Sequence, residues 1–138
     1  VKLTGPTCLL EKACTAKLAR ACRTLGFAFQ EGLGVDVDAR RAFALYEQAC
    51  DGGDAGGCRN QGLAYATGRG VDADPDAAAR LYRTACDGGE WMACVNLGDA
   101  YDSGVGLPTD ATAARDYYRR ACDQGVQAGC EGLRRRSE

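Results

Sequence analysis

Cys14, Cys50, Cys86 and Cys122 follow one another at intervals of 36 residues, and Cys22, Cys58, Cys94 and Cys130 repeat that interval eight residues later. A fixed period in this range marks a repeat array, in which each unit buries its apolar face only against its neighbours. Other positions keep the register. Gly26, Gly62 and Gly98 are followed three residues on by Phe29, Tyr65 and Tyr101. The loops "GLGV" (from Gly32), "GRGV" (from Gly68) and "GVGL" (from Gly104) then coincide. So do Asp38, Asp74 and Asp110, then Ala42, Ala78 and Ala114, then Tyr46, Tyr82 and Tyr118.

The unit reads as helix–loop–helix. In the second copy a first helix is expected from about Asp54 to Thr67, stopping at Gly68, because glycine enters the left-handed C-terminal conformation without a Cβ penalty. A second helix is expected to start at Asp74, whose carboxylate accepts from the free amides of the first turn, with Pro75 at the first helical position. Ala78, Leu81, Tyr82 and Ala85 then recur at i, i+3, i+4 and i+7 as one buried stripe. Gly62 and Gly98 fall inside helices, where glycine costs about 1 kcal/mol relative to alanine. Close approach of a neighbouring helix explains them. The expected fold is therefore all-α, an α/α solenoid of 36-residue units running through residues 1–138 as a single array. It divides into a partial repeat at 1–12, repeats at about 13–48, 49–84 and 85–120, and a terminal half repeat at 121–138.

Nine cysteines are a heavy load for 138 residues, and eight of them fall into the four C-x7-C pairs. Each pair joins the end of one helix to the start of the next across a tight turn. Closing such a loop is worth about 2–3 kcal/mol in the chain-entropy model. Zinc and free thiols are the competing readings. The pairs lack the short C-x2-4-C arms of four-sulfur zinc sites, and the chain has no histidine, so disulfides in an exported protein are favoured. The first junction, "CTAKLARAC" (Cys14 to Cys22), has no glycine and is expected to be more helical than the others. Cys8 is left unpaired: a free thiol, an intermolecular bridge that would make a dimer of an expected monomer, or a lipid anchor, for which "LTGPTC" is a poor match; the favoured expectation is that this chain is cut from a longer array that holds its partner.

Net charge is −2 with both signs scattered along the chain, so nucleic acid and anionic membranes are not the expected partners. Apolar runs are too short for a transmembrane helix. The chain opens on Val1 rather than methionine, and is read as a mature or excised form whose targeting sequence lies outside it.

The pattern G-x-x-[YF]-x-x-G-x-G-[VL], then Asp, then A-x-x-x-Y-x-x-A-C, resembles the Sel1-like repeat, and the paired cysteines narrow this to the cysteine-rich branch known from Helicobacter. The resemblance runs from about Leu9 to Leu133. It implies a superhelix akin to tetratricopeptide repeats, a concave face lined by the first helix of each repeat, and a secreted or periplasmic location. Some members of the branch are described as penicillin-binding, weak β-lactamases. The chain departs from the pattern at its ends. Leu10 stands where Tyr46 would, Cys8 where Ala44 would, and Arg134 to Arg136 are positioned to act as a polar cap.

A serine β-lactamase needs S-x-x-K, and neither Ser103 nor Ser137 begins that motif. Asp99 and Asp102, three apart, form either a carboxylate pair or a solvated face. The GxG loops lack a preceding strand and a Walker lysine. No catalytic residue, metal or cofactor is expected. The expected function is a non-catalytic protein- or peptide-binding scaffold outside the cytoplasm. The alternative is a penicillin-binding or β-lactamase-like envelope protein. The expected groove uses first-helix positions that vary between copies: Arg23, Arg59, Asn60, Met92, Asn96, Asp99 and Asp102. Arg23, Arg59, Asn60 and Asn96 would hold a carboxylate or peptide backbone, since arginine offers a forked donor pair. An ordinary solvated helix face is the plainer alternative.

Overall fold

The structure, a computed structural model, describes residues 3–137, with side chains through residue 135. Among the described residues there are eight α-helices and no strand, in two compact units, one up to Ala73 and one from Asp74. The first unit holds α1 (Gly5–Thr15), α2 (Ala19–Glu31), α3 (Ala39–Asp51) and α4 (Ala55–Thr67). The second holds α5 (Pro75–Asp87), α6 (Trp91–Ser103), α7 (Ala111–Asp123) and α8 (Gln127–Ser137). Within each unit every helix packs on its successor. In addition α2 touches α4, and α6 touches α8, so that first helices of successive repeats lie side by side.

The helix ends fall where the sequence puts them. Asp38, Asp54, Asp74 and Asp110 are N-caps whose carboxylates accept from the backbone N–H three residues on, at 2.9–3.1 Å. Each satisfies one of the amides that a helix start leaves free. Gly32, Gly68 and Gly104 close the first helices with φ of 73°, 71° and 74°. The loop then folds back: the Asp38 amide donates to the Phe29 carbonyl at 2.9 Å, and the Asp110 amide to the Tyr101 carbonyl at 3.0 Å.

Four disulfides, Cys14–Cys22, Cys50–Cys58, Cys86–Cys94 and Cys122–Cys130, span the turns from one repeat to the next, with Cα atoms 4.5–4.8 Å apart. Cys8 is the free cysteine, half-buried and packed against the first unit's core of Leu3, Leu25, Phe29, Ala42 and Tyr46. Tyr46 and Tyr118 are fully buried and lie across Gly26 and Gly98. A Cβ at Gly26 would sit 2.8 Å from the Tyr46 ring, and one at Gly98 would sit 2.7 Å from the Tyr118 ring. Glycine lets the helices approach until ring meets backbone. Arg134, named as a cap, is exposed at the end of α8, and the side chain of Arg136 lies outside the described residues.

The first junction differs from expectation. It is not more helical: α1 ends at Thr15, and Lys17 takes a φ of 68°, the conformation that Gly53, Gly89 and Gly125 supply at the other three junctions. The turn geometry overrides residue preference there. A non-glycine residue in the left-handed region costs about 1–2 kcal/mol, part of which glycine's larger unfolded-state entropy takes back. Lys17→Gly should therefore stabilise the protein by about 0.5–1 kcal/mol. An unchanged or lower denaturation midpoint would contradict the strain at Lys17. Gly98→Ala should act in the opposite sense. Alanine's better helix propensity, worth about 1 kcal/mol, is outweighed by overpacking against Tyr118, which costs about 1–3 kcal/mol. Chemical unfolding should show the net loss.

Candidate functional site

A groove of about 520 Å³ lies in the first unit between α2 and α4, with α3 beneath. Its base is Ala42, Tyr46 and Ala64, all buried. Phe27 and Gln30 come from α2, Phe43 from α3, and Arg59, Asn60, Leu63 and Thr67 from α4, while Arg69 enters from the loop after α4. The volume falls in the range of small-ligand and peptide sites, and the lining is an apolar bed with a few polar groups at its margin.

Local contacts fix these groups. The Tyr46 hydroxyl donates to Gln30 Oε1 at 2.8 Å, and Gln30 Nε2 donates to Glu31 Oε1 at 3.1 Å. An Arg69 guanidinium nitrogen donates to the Gln30 carbonyl at 3.0 Å, satisfying an acceptor that the end of α2 leaves open. Phe43 meets Tyr65 edge-on, with ring centroids 5.2 Å apart. Burial, reinforced by the Glu31 charge and opposed by Arg69 and Arg23, pushes the Tyr46 phenol up to about 12, so it remains a hydrogen-bond donor.

Arg59 and Asn60, expected in a groove, line this one. Arg23 is not among its lining residues. Its Nε donates to Asp54 Oδ2 at 2.6 Å, while the same oxygen accepts the Gly57 amide at 2.9 Å. Arg23 also lies over Gly56, where a Cβ would come within 2.9 Å of its Cδ. It braces the start of α4.

Met92, Asn96, Asp99 and Asp102 lie on α6 in the second unit. Asp99 accepts the Tyr118 hydroxyl at 2.5 Å. Burial first, and then Asp99 as acceptor and charge, raise that phenol to about 12, with Arg135 acting against the shift. Met92, Asn96 and Asp102 are half-buried, whereas Val95, which varies between copies, is buried in the core. The second unit also carries a cation–aromatic stack. Tyr101 and Tyr117 lie parallel 5.8 Å apart, the Arg83 guanidinium donates to the Tyr101 hydroxyl, and Arg120 sits 4.8 Å over the Tyr117 ring. Ser103 is exposed at the end of α6, its Oγ accepting the Val105 amide at 3.4 Å. Among the described residues no three histidine, cysteine, aspartate or glutamate side chains converge as a metal site, and no helix is long and apolar enough to cross a membrane.

Reading the first helices alone missed Phe43, Tyr46 and Arg69. The signal for Arg69 was present, since it replaces the Leu33 and Val105 of the other loops.

Helical hairpins in register, with a disulfide at each passage from one repeat to the next, define an α/α solenoid. The chain belongs to the Sel1 repeat family, which matches residues 19–54, 57–90 and 91–126. No curated protein matches the chain. Among solved structures it is similar to a protective antigen of uropathogenic Escherichia coli strains that displays an SLR fold, with a TM-score of 0.89 and 29% identity over 92% of this chain and 27% of the antigen. It is also similar to a Sel1 repeat protein from Oxalobacter formigenes, with a TM-score of 0.85 and 28% identity over 92% of this chain and 51% of that one. The chain thus spans about a quarter and about half of the length of these relatives. Helicobacter pylori cysteine rich protein B shares the fold, with a TM-score of 0.73 and 24% identity over 92% of this chain and 96% of that one.

Both buried phenols have pKa values above the ordinary 10.0. The unfolded chain therefore releases these protons first as pH rises, and stability should fall between pH 10 and about 12. Denaturant midpoints measured across that window should drop, and the drop should be smaller in Tyr46→Phe and Tyr118→Phe. A flat profile would contradict the assigned shifts.

Proposed function

We propose that the protein is a non-catalytic, protein- or peptide-binding scaffold acting outside the cytoplasm, and that the groove between α2 and α4 receives the ligand. The observation that carries this reading is the groove itself. It is an apolar bed, its polar margin is held in place by hydrogen bonds to Gln30 of α2 from Tyr46 of α3 and from Arg69 of the loop after α4, and the hairpins on either side are covalently closed. A site fixed in this way loses little ordering entropy when it binds an extended segment. Sel1 repeats are an interaction scaffold, which supports a macromolecular partner over a small metabolite. Four disulfides support an oxidising compartment, since cytosolic thiols are kept reduced.

The test is selection of short random displayed peptides on the folded, oxidised protein, in parallel with a Leu63→Asp variant of unchanged circular dichroism. A consensus enriched on the parent protein and lost on the variant is the expected result. Enrichment that survives Leu63→Asp would move the ligand elsewhere, and the absence of any consensus would remove the reading.

A further inference from the structure

The lining of the groove has a charge pattern that selects among peptides. Two arginines, Arg59 and Arg69, contribute to it, and no carboxylate does. Of the nearby acidic residues, Asp54 is engaged by Arg23 and the Gly57 amide, and Glu31 stands beside the lining with its carboxylate accepting from the Gln30 side-chain amide. The arginines mark opposite ends of the groove. Arg59 sits in the second turn of α4, and Arg69 follows the Gly68 cap at its far end. With a rise of 1.5 Å per helical residue, their backbones are separated by about 12–15 Å along the axis. Arg59, Leu63 and Thr67 recur at i, i+4 and i+8, so Leu63 lies on the α4 ridge between the two cations, with Phe27 and Phe43 completing the apolar bed.

An extended peptide rises about 3.3 Å per residue, so about four residues span that separation. Side chains at i, i+2 and i+4 of an extended chain point to one face. We propose that the groove recognises an extended peptide segment of the form acidic–x–apolar–x–acidic. The inference rests on the groove being the ligand site, as proposed above, and specifies its ligand. The outer carboxylates meet Arg59 and Arg69, and the central apolar side chain enters the bed of Phe27, Phe43 and Leu63. Arg69 spends one guanidinium N–H on the Gln30 carbonyl, which holds it at the rim with its charge intact. Arginine suits both ends because its planar fork donates two parallel hydrogen bonds to a carboxylate.

The test is calorimetric titration of the oxidised protein with three acetylated, amidated peptides: Gly-Glu-Ala-Leu-Ala-Glu-Gly, its lysine counterpart Gly-Lys-Ala-Leu-Ala-Lys-Gly, and Gly-Glu-Glu-Leu-Ala-Ala-Gly, which has the same charge but adjacent acids. The first should bind about tenfold or more tightly than either control, and should weaken as salt rises. Arg59→Glu should lose about tenfold for the first peptide and gain for the lysine peptide, a reversal that misfolding does not produce. Arg69→Glu also removes the bond to Gln30, so its circular dichroism is compared with that of the parent protein.

Equal binding of the glutamate and lysine peptides would overturn the charge rule while leaving a peptide groove in place. Equal binding of the spaced and adjacent acids would overturn the two-ended geometry. If none of the three binds but displayed peptides still give a Leu63-dependent consensus, this inference fails and the scaffold reading stands. If no peptide is selected at all, both fail.

Discussion

The structure depends on one constraint, the sharp reversal of the chain between the end of one helix and the start of the next. The same backbone solution appears at all four of the reversals that carry a cysteine pair. A residue with φ between 68° and 93° follows the helix end, and the amide after it returns to a carbonyl five residues back at 2.9–3.1 Å. This is the Schellman pattern, which satisfies carbonyls that a helix end would otherwise leave open. The disulfide then closes the reversal covalently. Each such closure is worth about 2–3 kcal/mol, and four together are on the order of 10 kcal/mol, comparable with the stability of a typical domain. Thin layers built from alanine, glycine and few large side chains have little else on which to rely.

Fixing the reversals permits close helix packing, and close packing makes the groove. With Gly26 bare, the Tyr46 ring lies against the backbone of α2, and its hydroxyl reaches Gln30 at the groove's margin. The second unit repeats the device with Gly98 and Tyr118, but there the hydroxyl meets Asp99. One packing solution thus presents a neutral amide in one unit and a carboxylate in the other. Packing positions stay fixed while neighbouring positions change chemistry, which is the property that a binding scaffold built from repeats requires.

Much of this was legible in the sequence because it is periodic. Helix boundaries follow from Asp54, Gly68, Asp74 and Pro75, whose roles are local: a cap and a terminator act on backbone groups within one turn. The pairing of the cysteines followed from their place in the register. Tertiary choices were less legible. Arg23 has the composition of a binding residue, yet Asp54 captures it, because the turn places that carboxylate within 2.6 Å. Phe43 and Arg69 enter the groove from a second helix and a loop, which a reading confined to first helices leaves out. Lys17 shows local preference giving way to a turn that the staple and the returning backbone bonds over-determine.

The central claim is that eight cysteines are joined in register across the reversals. It is tested most directly by intact mass after alkylating the native, unreduced protein in denaturant, followed by peptide mapping. The structure predicts one alkyl group per chain, on Cys8, and linked peptides pairing Cys14 with Cys22, Cys50 with Cys58, Cys86 with Cys94 and Cys122 with Cys130. Nine alkyl groups, or any linkage between different reversals, would contradict it.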